Sequence, residues 1–414
     1  MSLAPLAFTG CVDLADLPTA RPPIPVTGNP VVDGDAQLAA APERDRVLWE
    51  YRVAAAALRE GNYAEARAKL DDAIRRMGGL ISGPDDAARR ARSLFAAERE
   101  KTFIGEPYER VMAFYYRGLL YWRDGQPDNA RACFRSAQFI DSDAESASFK
   151  SDYVLLDYLD GLVSAKLGAD GSDAFARAQK LSKSPLPPYD PKANVLVFVE
   201  FGRGPRKLAT GRYGEQLRFQ AEPSRVRSAA LSLVDENVHF LPWDNLSFQA
   251  TTRGGRVMDY ILGNKAVFKG ASNAVGDLAF AGASVAADNI YKEKPRSPPP
   301  DAKQDGKPDD KHDDKPEYEK DQGAENTAIA LGVIGVFAKI ASAATQPQAD
   351  TRTWDNLPQY LSFSALRLPA GPHPAMLQFF DAEGRVVEPL TRRLTIDVGD
   401  PARDTVVILS ELNR

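Results

Sequence analysis

The first strong pattern along the chain is helical, with apolar and small residues recurring every three or four positions between residues 43 and 184. Its clearest part is residues 105–141. Gly118 stands where one helix would approach a neighbour closely, Gly125 stands at a turn, and Phe134 follows on one face of a second helix. This pattern predicts a pair of helices joined at Gly125.

A similar order of small and apolar residues occurs in two further stretches, at residues 47–77 and from residue 151 to about residue 178. Gly61 marks the turn of the first, and Gly161 a close approach in the second. Helix pairs of this kind are typical of tetratricopeptide (TPR) repeats, which bury their apolar faces only by stacking on one another. The spacing between turns is uneven, so residues 43–184 are predicted to form a degenerate TPR-like α-hairpin array.

From residue 189 onward the pattern has a period of two, which is typical of β-strands. The apolar run NVLVFVEF, residues 194–201, predicts a strand, and the Gly-rich run after it, residues 202–207, predicts a loop rather than a phosphate-binding turn. Further strands are predicted at residues 216–221, 229–234, 247–251, 360–366, 375–381, 390–398 and 405–409. The predicted fold class is α+β multidomain, with β-sandwich-like parts at 189–256 and 346–414 that belong to one sheet system.

A long interruption, residues 257–345, separates those two β-rich parts. Its flanks are rich in Gly and Ala, which lets helices approach closely and predicts a helical hairpin. Its middle, residues 292–322, combines charge and proline with almost no apolar residues and is predicted to be disordered. The apolar run at 328–344 is shorter than the roughly 20 residues that span a bilayer, which favours a buried helix. Membrane insertion or oligomer formation is the alternative.

The N-terminus carries a different signal. Phe8 to Cys11 resembles the end of a bacterial lipobox, in which small residues precede a cysteine that becomes lipidated. The apolar run before Cys11 is short and no basic residue precedes it, so residues 1–11 resemble a truncated lipoprotein signal. Residues 12–42 are rich in Pro, Gly and Val and predict an extended tether. The competing interpretation is a frayed N-terminus with an inert cysteine.

The amino-acid composition and net charge argue against several kinds of function. The net charge is −5 and the pI is near 5.5, so no nucleic-acid partner is expected. Three histidines and two cysteines are too few for most metal sites or for a disulfide framework, and no cofactor loop is evident. No nucleophile, base and orienting group stand in a recognisable spacing, so the chain is not predicted to be an enzyme, although distant carboxylates that converge in the fold stay open.

The first helix of the 105–141 pair carries a cluster of aromatic and basic residues with two interpretations. One is packing between helix pairs, which is the favoured one for the aromatic rings. The other is a concave face that grips an extended peptide, as TPR arrays do. The candidate partner-binding residues are Tyr108, Arg110, Tyr115, Arg117, Tyr121 and Trp122.

Three short motifs give the chain a family resemblance. GEPYER, NVLVFVEFGRGPRK and ADTRTWDNLP together resemble a poorly characterised family of bacterial TPR-containing lipoproteins, grouped with the lipoprotein of curli secretion and with lipoprotein activators of cell-wall synthases. The resemblance implies lipidation at Cys11 and a structural turn at Asp350 and Arg352, with Trp354 packed at a domain seam. It implies no catalytic residues.

Three hypotheses about function follow. The leading one is a non-enzymatic lipoprotein of the outer membrane, facing the periplasm or the cell surface, that acts as a scaffold for a protein or peptide partner of the cell envelope. The second is a component of a membrane-embedded oligomeric complex that uses the hairpin at 257–345. The third and weakest is a hydrolase acting on envelope glycan or peptide.

Overall fold

The computed structural model describes residues 26–81, 102–142, 150–211, 214, 216–234, 236–252 and 349–412. Within these ranges the protein contains eight α-helices and three sheets, so the mixed composition expected of an α+β fold is confirmed. The helices are α1 (Pro30–Ala40), α2 (Arg46–Arg59), α3 (Tyr63–Ile81), α4 (Pro107–Arg123), α5 (Pro127–Asp141), α6 (Val154–Lys166), α7 (Ser172–Leu181) and α8 (Leu246–Thr251).

Helices α2 to α7 form three pairs, each joined by a short turn, and successive helices pack on one another in chain order. Helix α4 begins at Pro107, and the Glu106 and Glu109 side chains form a capping box around its first turn. At Gly118 an added Cβ would lie 2.6 Å from the Phe134 ring, so only glycine permits this approach of α4 and α5. The three predicted helix pairs are therefore present.

The predicted tether at 12–42 is wrong for its last part, because α1 occupies residues 30–40. The Asn29 side chain accepts hydrogen bonds from the N–H groups of Val31 and Val32 and so caps this helix. Gly34 lies against Val53 of α2, which holds α1 on the array. The high proline and glycine content concealed a cap signal, Asn-Pro, that starts a helix.

The strands are β1 (Val195–Phe201), β2 (Arg206–Thr210), β3 (Gln216–Gln220), β4 (Ser228–Ser232), β5 (Asn237–Phe240), β6 (Asp244–Asn245), β7 (Tyr360–Leu366), β8 (Gly371–Phe380), β9 (Arg392–Val398) and β10 (Thr405–Ser410). The central sheet has the order β10-β1-β7-β6, the outer sheet has the order β5-β4-β8-β9, and β2 pairs with β3 as a hairpin. Both larger sheets contain strands from 189–256 and from 346–414, so the two β-rich parts form one sheet system.

Strand β1 lies at the centre of the fold and is buried along its whole length. It pairs in parallel with β10 and antiparallel with β7. Because side chains alternate along a strand, Leu196 and Phe198 pack into the core of the helical array, whereas Val197 and Val199 pack against the outer sheet. The protein is thus built in three layers, helices, central sheet and outer sheet, and the first two share one hydrophobic core.

Two local predictions in the β-rich part are wrong. Residues 247–251 form helix α8, not a strand, because the Asn245 side chain accepts hydrogen bonds from the N–H groups of Ser247 and Phe248 and caps a helix there. The run at 202–207 is not wholly a loop, since β2 begins at Arg206 and pairs with β3.

The Gly/Ala-rich stretch at 257–345, with its charged middle at 292–322, lies outside the described residues, as do Cys11 and the rest of residues 1–25. The described chain leaves toward this stretch from α8, which packs on β3, and returns at Ala349, whose N–H donates to the carbonyl of Gly214 in the β2–β3 turn. The last described helix before this stretch and the first described residue after it therefore both contact the same hairpin. Among the described helices, none is long and apolar enough to cross a bilayer.

Candidate functional site

The three motifs that carry the family resemblance meet at one buried carboxylate, Glu109 of α4. Its Oε2 accepts from the N–H of Glu106 at 2.7 Å and from Lys207 Nζ at 2.6 Å. Its Oε1 accepts from the N–H of Trp354 at 2.8 Å. GEPYER, GRGPRK and ADTRTWDNLP, far apart in the chain, are thus joined at a single point, which we call the motif junction (Glu109, Lys207, Arg352 and Trp354).

Strand β2 delivers Lys207 to this junction. Lys207 is the one residue of β2 that is buried, and its side chain is 2 % exposed. Besides Glu109 it contacts the carbonyl of Arg352 at 2.8 Å, and its ammonium lies 5.2 Å from the centre of the Phe103 ring. A buried ammonium and a buried carboxylate each need the other, because removing one leaves an uncompensated charge in the interior.

The loop before β7 supplies the remaining members of the junction. Arg352 contacts Asp350 at 2.6 Å and Asp45, just before α2, at 2.7 Å. Trp354 is buried and stacks on Tyr51 of α2 with ring centres 4.4 Å apart. Arg352 also donates to the carbonyl of Arg44 at 3.3 Å, and Asp350 accepts from the N–H of Arg352 at 2.9 Å. Asp350, Arg352 and Trp354 therefore lie where the helices meet the β-rich half.

An open cleft of about 470 Å³ lies beside the motif junction. Arg52 of α2 is prominent in its wall: its guanidinium donates to the carbonyl of Thr353 at 2.8 Å and to Asp355 at 3.0 Å, and lies 4.6 Å from the centre of the Trp49 ring. The cleft is lined by Asp45, Leu48, Trp49, Arg52, Arg206, Lys207, Thr351, Arg352, Thr353 and Asp355.

Most of the candidate partner-binding residues on α4 are not available to a partner. Tyr108, Tyr115 and Trp122 are 1 %, 3 % and 1 % exposed. The Tyr115 ring packs edge-on against Phe198 of the central sheet, and Trp122 Nε1 donates to Asp404 at 2.8 Å. The central sheet occupies the face that a peptide would need. We therefore withdraw the partner-binding assignment for these three residues in favour of packing.

Among the other three candidates, Arg117 is not available to a partner either. It is 5 % exposed, pairs with Asp71 at 2.6 Å, and lies 3.5 Å from the centre of the Tyr121 ring. Its partner-binding assignment is withdrawn as well. Arg110 and Tyr121 are half-buried and lie about three turns apart on one face of α4, so a partner-binding role for these two residues stays a prediction.

A second buried cluster of charges, which the sequence analysis missed, joins β1 to the helices. Glu200 accepts from Arg59 Nε at 2.5 Å and from the Tyr116 hydroxyl at 2.6 Å. Burial, with Glu200 adding to it, holds the pKa of Tyr116 well above its usual value. All three residues are less than 10 % exposed, so a substrate cannot reach them. The cluster therefore serves to hold β1 against the helices. The signal in the sequence was a glutamate inside an otherwise apolar strand.

A third buried acid, Asp244 of β6, caps helix α6. Its two carboxylate oxygens accept from the N–H groups of Val154 and Leu155 at 2.9 and 2.8 Å. Burial raises the pKa of Asp244 to about 7, against the effect of these two hydrogen bonds, and Asp152 and Asp157 raise it further. These hydrogen bonds hold the N-terminus of α6 against β6, at the edge of the central sheet.

The remaining chemistry of the described residues is sparse. They contain no group of three or more His, Cys, Asp and Glu side chains arranged to hold a metal. Cys133 is buried, and burial raises the pKa of its thiol to about 11, which makes it unreactive. Comparisons with protein-family models, with curated proteins and with solved structures found no match.

Proposed function

We propose that this protein is a non-enzymatic, lipid-anchored scaffold of the bacterial cell envelope. The observation that carries the proposal is the motif junction, because the three motifs of the family resemblance supply residues that join helices to sheet. The charged residues of the junction pair with one another: Lys207 with Glu109, and Arg352 with Asp350. Groups that are already paired in this way suit a rigid support better than a reaction centre.

The array is proposed to be TPR-like, and its partner surface to lie outside its inner face. Supporting this, α2 to α7 pack as successive pairs, and Gly118 lies against Phe134 as a close-packed pair requires. Because the central sheet fills the inner side, an envelope protein or peptide would bind elsewhere, and the open cleft beside the motif junction is one surface that could accept it.

The anchor is tested by lipid incorporation. Cells expressing the protein are labelled with radioactive palmitate, and the wild type is compared with Cys11→Ala. Cys133→Ala serves as the matched control because Cys133 is the other cysteine and is buried. Label in the wild type and the control, but not in Cys11→Ala, is expected. Equal label in all three would remove the anchor from the proposal.

The scaffold role is tested by crosslinking in intact cells, followed by purification and mass spectrometry. Arg206→Glu reverses the charge of an exposed arginine at the cleft that pairs with Glu222, and Arg367→Glu reverses that of a similarly exposed arginine, just after β7, that pairs with Asp190. We expect a defined set of envelope proteins that Arg206→Glu loses and Arg367→Glu keeps. Crosslinks that are absent, or the same in both variants, would contradict the role.

A second candidate is a component of a membrane-embedded oligomer. What favours it is that helix α8, before residues 253–348, and Ala349, after them, both contact the β2–β3 hairpin, so the described chain borders these residues beside one element. Carbonate extraction of Cys11→Ala separates the candidates. Retention in the membrane pellet supports the oligomer, and release supports the lipid-anchored scaffold.

A further inference from the structure

Strand β10 forms one edge of the central sheet. Within the described ranges its one strand neighbour is β1, which lies beside it in parallel. The N–H group of Thr405 donates to the carbonyl of Asn194, so the backbone of Thr405 faces β1. Because N–H and C=O groups alternate in direction along a strand, those of Val406, Ile408 and Ser410 point away from β1. The outer edge of β10 therefore offers backbone donors and acceptors to which β1 provides no partner.

The middle of this edge is open to solvent. Helices α2 and α4 pack on β10 from the helix layer, and β9 packs on it from the outer sheet. The Ile408 side chain packs against the core of the helical array, and those of Val407 and Leu409 pack against the core between the sheets. All three are nevertheless half-buried, whereas Val406 is 7 % exposed. Side chains on both faces share this partial exposure, which indicates that solvent reaches them along the edge, most at residues 407–409.

The other edges of the two larger sheets carry features that discourage pairing with another chain. In the described chain, β6 has two residues, β5 has four, and β9 carries Arg392, Arg393 and Asp397. Short length and charged side chains are common ways in which proteins protect a sheet edge. Strand β10 has six residues, TVVILS, without a charge or a proline. Of these four edges, β10 is thus the one best suited to accept a further strand.

A second copy of the same strand fits this edge in one register. When two β10 strands pair antiparallel about a two-fold axis at Val407, Val406 and Ile408 of one copy exchange backbone hydrogen bonds with Ile408 and Val406 of the other. β-Branched residues then stand opposite one another, which is a favourable cross-strand combination. The same register brings Arg403 toward Glu411 of the second copy, and a shift of two residues in either direction loses this pairing of opposite charges.

The charges at the two ends of β10 support this register. Arg403, two residues before the strand, is exposed and forms no salt bridge within the described part of the chain. Glu411, directly after the strand, carries the opposite charge, and its Oε2 accepts from the Gly202 N–H. Asp404 is already held by a salt bridge and stands opposite Ser410 of the second copy, so no like charges meet.

We propose that two copies of this protein associate through β10, which joins their four-stranded central sheets into one continuous sheet. The inference goes beyond the proposed function and does not depend on it, because it uses the sheet edge and neither the motif junction nor Cys11. Each copy has one such edge, so the contact closes at a dimer. An extended segment of a different protein is the competing occupant of the same edge.

The first test measures the mass of the full chain by sedimentation equilibrium over a wide range of concentration. The mass is expected to rise from 45.2 kDa to twice that value. Ile408→Pro removes an outward N–H group and leaves the ladder to β1 intact, and proline is tolerated at such edge positions. It should weaken dimerisation at least about tenfold, because the lost hydrogen bond occurs twice in a symmetric contact. Ile408→Val, which keeps the N–H group and the β-branched shape, is the control and should stay within about threefold of the wild type.

Arg403→Glu is an independent variant, since Arg403 is exposed and lies outside the strand. Reversing its charge sets it against Glu411 of the second copy and should weaken dimerisation about fivefold, with a smaller effect at high salt. Arg218→Glu is the matched control. Arg218 of β3 is likewise exposed and contacts Gln216 rather than an acid, so this variant should leave the dimer unchanged.

Amide exchange, followed residue by residue by NMR, locates the contact. The N–H groups of Val406 and Ile408 should exchange more slowly in the dimer than in the monomer. Those of Val407 and Leu409, which face β1, should change little. This alternation distinguishes pairing along the edge from contact through another surface.

A wild type that stays monomeric would overturn the inference, and so would a dimer that Ile408→Pro and Arg403→Glu leave intact. A mass that keeps growing beyond the dimer would contradict closure through one edge. If the wild type stays monomeric but binds a labelled peptide of residues 403–411, the edge accepts an extended segment of another chain and not a second copy. If circular dichroism shows that Ile408→Pro is unfolded, Arg403→Glu and the exchange pattern decide.

Discussion

The two faces of the central sheet are held by different kinds of contact. Toward the helices, β1 presents Glu200, which is held by Arg59 and Tyr116. Toward the outer sheet the same strand presents Val197 and Val199 to a cluster of hydrophobic side chains, beside which the buried Ser362 hydroxyl donates to the carbonyl of Leu241. A single strand thus joins an interface that contains buried charges to one that consists mainly of apolar side chains.

The two interfaces differ in how strictly they determine the arrangement of the parts they join. An apolar interface is stable when its volume is filled, and it tolerates any hydrophobic side chain of suitable size and shape. A buried charge adds little net stability, yet it penalises every arrangement in which its partner is absent. Three buried acids lie where the helices meet the β-rich half, and we call this interface the helix seam. Glu200 and Asp244 belong to the central sheet, and Glu109 of α4 pairs with Lys207 of the β2–β3 hairpin. We infer that they fix where the array sits on the β-rich half.

The largest expected effect is on the helix seam. Lys207→Met keeps the length of the side chain but leaves Glu109 as an unpaired buried carboxylate. We expect the free energy of unfolding to fall by about 3–5 kcal/mol, measured by urea denaturation. Arg206→Met, at the neighbouring exposed position, should change it by less than about 1 kcal/mol.

A second substitution tests whether that loss comes from the orphaned charge. Adding Glu109→Gln to Lys207→Met neutralises the carboxylate while keeping an oxygen that can accept from the Trp354 N–H, so the double variant should recover part of the loss. A double variant that is less stable than Lys207→Met would show that the pair does not act as a unit, and the contrast between the seams would weaken.

The apolar seam should respond to volume instead. Leu377 of β8 is buried between the sheets. Leu377→Ala should cost about 2–5 kcal/mol because it leaves a cavity, whereas Leu377→Met should cost less than about 1.5 kcal/mol. The informative comparison is between Leu377→Met, which should lower the free energy of unfolding only slightly, and Lys207→Met, which should lower it strongly. If urea denaturation gave equal losses for both variants, the two interfaces would not differ in the way described.

The sequence predicted most of the elements because their signals are local. The helical period and Gly118 located the helix pairs, and alternation located β1 and β7 to β10 within a few residues. It misread 247–251 and the helix at 30–40, where a single asparagine cap decides the structure. Caps act through one or two hydrogen bonds, which a period of apolar residues does not record.

The site was less predictable than the fold, for a physical reason. The aromatic residues of α4 have the composition of a binding face, and only the docking of the sheet shows that Tyr115 and Trp122 are core. The meeting of Glu109 with Lys207 joins residues 98 positions apart, which no local spacing encodes. Glu200 was the one visible sign, since a charge within a buried strand requires a partner.

A pH experiment sharpens the account of the helix seam. The pKa of Asp244 in the fold, about 7, lies above its usual value of 3.8 because of burial. Its contribution to stability is therefore fully present below pH 3.8 and is lost as the pH rises through 7. Between pH 5 and 7 the wild type should lose on the order of 2 kcal/mol that Asp244→Asn retains, in urea denaturation at both pH values. Parallel pH profiles would contradict this.

The smallest expected effect concerns α1, which packs on α2. Asn29→Ala removes the side-chain acceptor of the Val31 and Val32 N–H groups and should lower the free energy of unfolding by about 1 kcal/mol. Asn29→Ser, which keeps an acceptor, is the control and should stay within a few tenths of a kcal/mol. Because α1 packs on α2 through contacts such as Gly34 with Val53, the loss should appear as faster amide exchange in residues 30–40, with the seams unchanged. Faster amide exchange in β1 as well would contradict this expectation. It would show that the stability of α1 is coupled to that of the central sheet.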